Sequence, residues 1–307
     1  MSEPELSVIL CTHNPRADYL AETLAALRSQ TLAVERWELI VVDNASRSPI
    51  PADLSWHPAA RVLREESVGL TLARLCGFRA ASAGVFVLVD DDNVLGPDYL
   101  TSALEIAAAW PLIGAWGGQC APRFEREPAE WTRVHWDLLG IREFAKDMWS
   151  NVLGVNQPVP IGAGMCVRRA VAEHYMELLA KNPIRATLDR ASDRLMSCGD
   201  TDLALASCDL GLGTGLFVKL RLTHLMPAQR LEDGYLRELA RGIAYSEVIL
   251  ASFRGLAPYP RSRTQRLLKW WEALHLPPRE REFVALAERA RIAALADIPK
   301  YRPANHA

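Results

Sequence analysis

VFVLVDDDN, residues 85–93, sets five β-favouring apolar residues against three consecutive aspartates and an asparagine. A short run that is apolar on every side and bounded by polar residues reads as a strand buried on both faces, the habit of a parallel sheet covered by helices. Two runs upstream have the same form, LSVILCTHN (6–14) and WELIVVDN (37–44), and a shorter strand is expected near Arg61–Arg64. Between them, Asn14 as N-cap and Pro15 at the first helical position open a helix with Leu20, Leu24 and Leu27 as its apolar stripe. A second helix is expected from Gly69 to Ala83. Gly96-Pro97 launches a third, followed by the strand LIGAW (112–116). Strand alternating with helix over 5–117 predicts an α/β fold whose sheet is mostly parallel and carries helices on both faces.

Further along, 118–160 shows no clean period. A strand is expected at 164–168, a helix from there to about Ala180, and another from near Gly199 to Gly211. A strand at 215–221 leads to Thr223-His224. From about 231 the pattern is helical, broken at Pro258, Pro260, Pro277 and Pro278. The expected organisation is a domain at 1–230, divided at 117, with a helical extension at 231–307.

Half of the 307 residues are apolar, 23% are charged and the formal net charge is -2, so nothing attracts a polyanion and nucleic acid is not an expected partner. Six cysteines are scattered without metal-ligand spacing. They read as reduced thiols and favour a cytoplasmic protein without structural zinc. No basic-then-apolar leader begins the chain and no apolar run reaches about 18 residues, so neither export nor a membrane span is expected.

Ligands of open parallel sheets bind beyond the carboxyl ends of the strands. Three polar clusters fall there: Thr12-His13-Asn14, Asp43-Asn44 and Asp90-Asp91-Asp92-Asn93. Asp43 alone reads as readily as an Asx turn. The aspartate triplet is different, because three adjacent carboxylates repel one another and the nearest Lys or Arg in sequence is Arg79. A divalent cation, Mg²⁺ or Mn²⁺, bridging to a substrate diphosphate answers that repulsion. The competing reading is a solvated acidic turn.

With these pieces in order, the chain resembles family 2 glycosyltransferases of the GT-A fold. The resemblance runs through SVILCTHNPRADYLAETLAALRSQT (7–31), WELIVVDNAS (37–46), ESVGLTLARLCGFRAASAGVFVLVDDDN (66–93), VPIGAGMCVRRA (159–170), GDTDLAL (199–205) and LTHLMPAQR (222–230). It implies a GT-A type, Rossmann-like sheet in which 1–117 binds the nucleotide sugar and 118–230 the acceptor. It also implies inverting transfer of a sugar from a UDP-, GDP- or dTDP-linked donor to a saccharide, lipid-linked or protein acceptor, in surface polysaccharide or glycoconjugate synthesis. By the same resemblance Thr12 and Asp43 would contact the base, Asp90 the ribose and Asp92 the metal. Asn14 and Asp91 join the donor-contacting set through their strand-end clusters.

Arg74 fits the family's basic position in the helix after Gly69, although the Asn usual beside it is Leu75 and the Asn-X-Gly before it is Ser67-Val68-Gly69. The family's Glu-Asp pair aligns with Gly199-Asp200, which keeps the Asp and lacks the Glu. Asp200 would be the general base, with Asp202 as the alternative; both also suit the first turn of a helix. His224 would reach the metal or diphosphate, or be a hydrogen-bonded core residue, and His13 would be a loop residue near the nucleotide. The strand with Gly162-Ala163-Gly164 would lie beside the acceptor, where glycine permits close approach.

Apart from the resemblance, Trp131, Trp136 and Trp149 offer flat faces for a sugar or for the core, and Trp131 is the candidate acceptor contact. The segment 261–303 holds ten Lys or Arg against five acids, with Trp270-Trp271 nearby. It reads as a helical cap, or as a peripheral contact with the inner face of the plasma membrane. A sugar nucleotidyltransferase and a non-catalytic binding subunit on the same fold are the rival readings.

Overall fold

A computed structural model describes residues 3–152, 158–190, 195–256 and 260–301. The first half of the chain forms β1 (Leu6–Thr12), α1 (Ala17–Arg28), β2 (Trp37–Asn44), β3 (Ala60–Glu65), α2 (Leu70–Ala80), β4 (Val85–Asp90), β5 (Asn93–Leu95), α3 (Tyr99–Ala109) and β6 (Ile113–Phe124). The second half adds β7 (Met148–Ser150), β8 (Cys166–Arg168), α4 (Arg169–Lys181), α5 (Gly199–Asp209), β9 (Gly213–Met226), α6 (Asp233–Phe253), α7 (Arg263–Leu274) and α8 (Pro278–Asp297). One sheet runs β3-β2-β1-β4-β8-β6-β9-β5, with β7 on β9.

The continuous apolar strands are buried on both sides. Leu6, Val8 and Leu10 of β1, Leu39 and Val41 of β2, and Val85, Val87 and Val89 of β4 join the core that contains Leu20, Leu24 and Leu27 of α1 and Tyr99, Leu100 and Ile106 of α3. Their alternates Ile9, Ile40, Val42, Phe86 and Leu88 join the opposite core with Phe78 of α2, Tyr175 of α4 and Leu203 of α5. At about 1.5–3 kcal/mol for each fully buried large apolar side chain, this two-faced burial holds the four-strand parallel unit as the rigid part of the fold.

The structure departs from the sequence expectations in four places. α1 begins at Ala17 with Arg16 as N-cap and no side-chain cap. Asn14 instead takes a left-handed φ of 50° and ties to the loop after β2: its N–H donates to Ser46 Oγ (2.8 Å) and its Oδ1 accepts from Arg47 N (2.9 Å). LIGAW is only the start of a 12-residue strand that fills part of the unreadable 118–160 segment. That strand is parallel to β9 but is separated from β4 by β8, which is antiparallel to both neighbours. His224 lies inside β9 rather than after it. Of the proposed helix breaks, Pro258 lies outside the described residues.

After β9, α6 and α8 pack on one another and on the body: Leu236, Leu239 and Phe283 share a core with Leu139 and Met226. α7 buries none of its residues. No helix among the described residues is long and apolar enough to cross a membrane, and the six cysteines form no disulfide.

Candidate active site

The carboxyl ends of β1, β2 and β4 open into a cleft of about 500 Å³, as parallel topology requires. Thr12, Asn44 and Asp90–Asp92 line it from those strand ends, and α2 adds Gly69 and Arg74. The second half adds Gly140, Ile161–Ala163, Asp189, Arg190, Asp200, His224 and Arg230. Gly69 enters α2 at φ 155°, a conformation open to glycine, and its N–H donates to Asn44 Oδ1 (2.8 Å), which fastens the start of that helix to the end of β2.

The aspartate triplet has basic partners after all, all brought by tertiary structure. Arg230 donates to Asp92 (2.9 Å), and His224 Nε2 lies 3.3 Å from the same carboxylate oxygen. The antiparallel register sets His224 opposite Asn93, which delivers the imidazole beside Asp92. Burial works to raise the Asp92 pKa, but His224 and Arg230 prevail and hold it well below the usual carboxylate range. Asp90 lies 3.7 Å from Arg74, yet burial pushes its carboxyl up. Asp91 accepts from the Thr12 hydroxyl, and burial together with the charge on Asp92 pushes it up to about 7. The tip thus holds one firmly ionised carboxylate and two that resist losing their protons, an arrangement that a second cation would relieve.

Among the described residues no three His, Cys, Asp or Glu side chains form a ready-made metal cage. Asp92 and His224 together still suit a divalent ion whose remaining ligands are phosphate oxygens and water. His224 Nδ1 is buried with no hydrogen-bond partner among the described residues, and Nε2 is 3.0 Å from Arg230. The Arg230 guanidinium bonds both the carboxylate and Nε2, so a metal shared by these two groups requires Arg230 to move aside.

The two candidate bases separate cleanly. Asp200 lines the cleft, and its carboxylate accepts from Gly162 N (2.8 Å) and Thr201 N (2.7 Å). Asp202 is fully buried away from the cleft and receives Arg185 (2.6 and 3.0 Å) and Arg254 (2.7 and 3.0 Å). It is a structural ion-pair hub, which corrects its reading as an alternative base.

Other expected site residues are redistributed. Asp43 does not line the cleft; its oxygens accept from Ser46 N (3.0 Å) and Arg64 (2.6 Å), the Asx-turn reading. Burial works to raise the Asp43 pKa, and these partners hold it below the ordinary value. Asn14 also stands outside, held to the β2 loop. Gly162 and Ala163 line the cleft, whereas Gly164 (φ 70°) gives its carbonyl to the Tyr99 hydroxyl (2.6 Å). Trp131 lies under the Arg279 guanidinium, 4.0 Å from the ring centroid, and packs in the α6–α8 core rather than facing the cleft.

Sequence reasoning missed Asp189, Arg190 and Arg230. No local pattern marks them, although Arg230 closes a quoted motif.

The model for Glycosyl transferase family 2 matches residues 7–176. A validoxylamine A glucosyltransferase of Streptomyces hygroscopicus subsp. jinggangensis is 35% identical over 106 residues, 33% of this chain and 25% of that protein. Across the curated relatives it matches, the chain spans 12% to 31% of their length. Among solved structures, the mannosyltransferase PcManGT from Pyrobaculum calidifontis, in complex with GDP-Man and Mn²⁺, is similar with TM-score 0.54 and 20% identity, over 99% of this chain and 77% of that one. S. aureus TarS 1–349 with UDP-GlcNAc is similar with TM-score 0.56 and 18% identity, over 97% of this chain and 82% of that one. At such identities the likeness is one of fold, the GT-A glycosyltransferase fold. With more than half of its 307 residues matched by the family model, the chain belongs to glycosyl transferase family 2.

Proposed function

We propose that this protein transfers a glycosyl group from a nucleotide-diphosphate sugar to an acceptor hydroxyl with inversion. One observation carries the reading: the acidic tip of β4 and the carboxylate of Asp200 open into the same cleft, from opposite halves of the chain. Residues 1–117 hold the donor and 118–230 the acceptor, with 231–307 as a helical extension.

The base lies against the ends of β1 and β2, beside Thr12 and Asn44. Contact with Asp43 requires the half-exposed Arg64 to yield. Arg190 and Arg230 line the cleft as the donors that meet diphosphate oxygens, where charge-assisted bonds are strongest, while Arg74 is taken up by Asp90 and Asp189. Asp92 and His224 are the residues that would hold Mn²⁺ or Mg²⁺, and such an ion would offset negative charge on the leaving diphosphate. Asp200 takes the proton of the attacking hydroxyl. The new glycosidic bond forms as the bond to the diphosphate breaks, and the single in-line displacement inverts the anomeric centre. The Gly162-Ala163 backbone forms the near wall for the acceptor.

The acceptor is a saccharide, a lipid-linked sugar or a protein, met by a cytoplasmic enzyme resting on the inner face of the membrane. Support for that placement comes from α7. Leu267, Trp270, Trp271 and Leu274 share one stripe at helical spacing and are 65%, 62%, 58% and 45% exposed. Gln265 and Lys269 face the groove toward Arg291 of α8, so the apolar stripe points outward, flanked by Arg263 and Arg266.

The test is a panel of UDP-, GDP- and dTDP-sugars, with and without Mn²⁺, read by thermal shift and then by sugar release or transfer. One nucleotide class should stabilise the protein more with Mn²⁺ and should turn over above background. A panel in which no donor binds or turns over refutes the reading and favours a non-catalytic subunit. Pyrophosphate release from a nucleoside triphosphate favours the nucleotidyltransferase.

A further inference from the structure

Gly199 opens α5, yet its backbone is outside the left-handed region, so local conformation does not call for glycine there. What forbids a side chain is a neighbour. A Cβ at 199 would lie 2.6 Å from Asp189 Oδ2, 2.8 Å from its Cγ and 2.9 Å from its Cβ. The Asp189 side chain therefore fills the space that a side chain at 199 would enter.

That carboxylate is nine-tenths buried at the cleft wall, and its side-chain partners, Thr71 and Arg74, both come from α2. Oδ2 accepts from the Thr71 hydroxyl (3.1 Å) and from Arg74 Nη1 (3.4 Å), and Oδ1 accepts from Arg190 N (2.9 Å). Arg74 reaches Asp90 with its other terminal nitrogen, at 3.7 Å. The guanidinium is buried among the carboxylates of Asp90, Asp189 and Asp200, and Gly162 leaves room for it where a Cβ would collide. Arg74 keeps its charge at any working pH, so it pairs with whichever carboxylate is nearest.

We infer that Asp189 supplies the carboxylate that position 199 lacks, and that it acts as a positioning residue, holding Arg74 toward Asp90 and off Asp200. Asp200 then keeps only neutral partners, the N–H groups of Gly162 and Thr201 and the Thr201 hydroxyl, and no guanidinium competes with the acceptor hydroxyl for it. Without Asp189 the guanidinium turns to Asp200, and a charge-assisted bond there lowers its basicity. This rests on Asp200 being the base of the proposed transfer.

The experiment uses the full chain with the donor that turns over best. Asp189→Asn keeps the volume and should lower kcat about 10–100-fold while the donor KM stays within about threefold, the size of loss that misplaced catalytic geometry produces. Gly199→Asp alone should lose at least as much and should also lower Tm, since it overpacks the site. The double variant Asp189→Gly/Gly199→Asp should recover most of the kcat that Asp189→Gly and Gly199→Asp each remove alone, a coupling that independent roles do not produce. Wild-type kcat in Asp189→Asn, or losses that simply multiply in the double variant, overturn the inference.

A thermal cycle needs no activity. Gly199→Ala should lower Tm in the wild-type background and not in Asp189→Gly, and an equal drop in both also overturns it. If the wild type moves no sugar from any donor, the transfer reading falls, while the thermal cycle still decides whether Asp189 fills the place of a residue-199 side chain.

Discussion

Asp200→Asn and Asp202→Asn, two residues apart on one helix turn, should fail in opposite ways. Asp202 is fully buried and takes Arg185 and Arg254, whose side chains are 7% and 3% exposed. Removing its charge leaves the Arg185 guanidinium buried without the carboxylate it pairs with and Arg254 with Asp209 alone, a defect that costs about 3–5 kcal/mol. At roughly 2 °C per kcal/mol for a chain of this size, Tm should fall by about 6–10 °C. Asp202 does not line the cleft, so kcat per folded molecule should stay within about threefold of wild type. Asp200 has a part-exposed carboxylate with two backbone N–H partners. Its amide variant should lose about 1 kcal/mol of stability or less, but about 10²–10⁴-fold in kcat, the usual contribution of a positioned general base. The assay pairs calorimetric unfolding with sugar transfer measured well below the lowest Tm. An Asp202→Asn protein with unchanged Tm and no turnover, or an Asp200→Asn protein with wild-type kcat, refutes the assignment.

Three further outcomes follow from the cleft and from α7. Asp92→Asn should abolish the Mn²⁺-dependent part of nucleotide binding, whereas Arg230→Ala should weaken diphosphate binding and leave Mn²⁺ dependence in place; isothermal titration with UDP, GDP and dTDP separates the two. Asp91 has its folded pKa raised to about 7, so the folded state binds the proton more tightly than the unfolded chain. Its contribution to stability is fully present below the unfolded value of 3.8 and is lost as pH rises from there through about 7. Unfolding scans of the metal-free protein should show this loss, Asp91→Asn should reduce it, and an unchanged slope in that variant refutes it. Replacing Leu267, Trp270, Trp271 and Leu274 by Ser should abolish flotation with vesicles containing anionic lipid and leave donor hydrolysis unchanged; flotation equal to wild type refutes the membrane contact.

The three strand-end clusters and the helices between them were legible because burial on both faces writes itself into continuous apolar runs, and a parallel strand must end where ligands bind. Asp90–Asp92 could be singled out for a similar reason, as carboxylates stranded at a strand end, whereas Asp200 was marked only by the family resemblance, since an acid at a helix start is ordinary. Asp202 stood as the alternative to Asp200, and only the packing of Arg185 and Arg254 against it removes it from the cleft. Trp131 was equally ambiguous, since an aromatic residue in an aperiodic segment packs inward or faces a sugar without any change in the local pattern. Asn14 next to Pro15 carries every local mark of a helix cap, but its hydrogen bonds go to Ser46 and Arg47 across the loop.

From its sequence alone this chain declares a helix-covered parallel sheet, the end of the sheet where a ligand sits and an acidic tip in need of a cation. Local propensity and burial periodicity act over a few residues, so the linear pattern retains them. Tertiary structure alone decided which basic side chains answer that tip, Arg230 and His224 at Asp92 and Arg74 at Asp90. It also decided which of two neighbouring aspartates faces the cleft, and why position 199 carries no side chain. Each of these depends on side chains far apart in sequence meeting at a few ångströms, where charge pairing and exclusion of volume act.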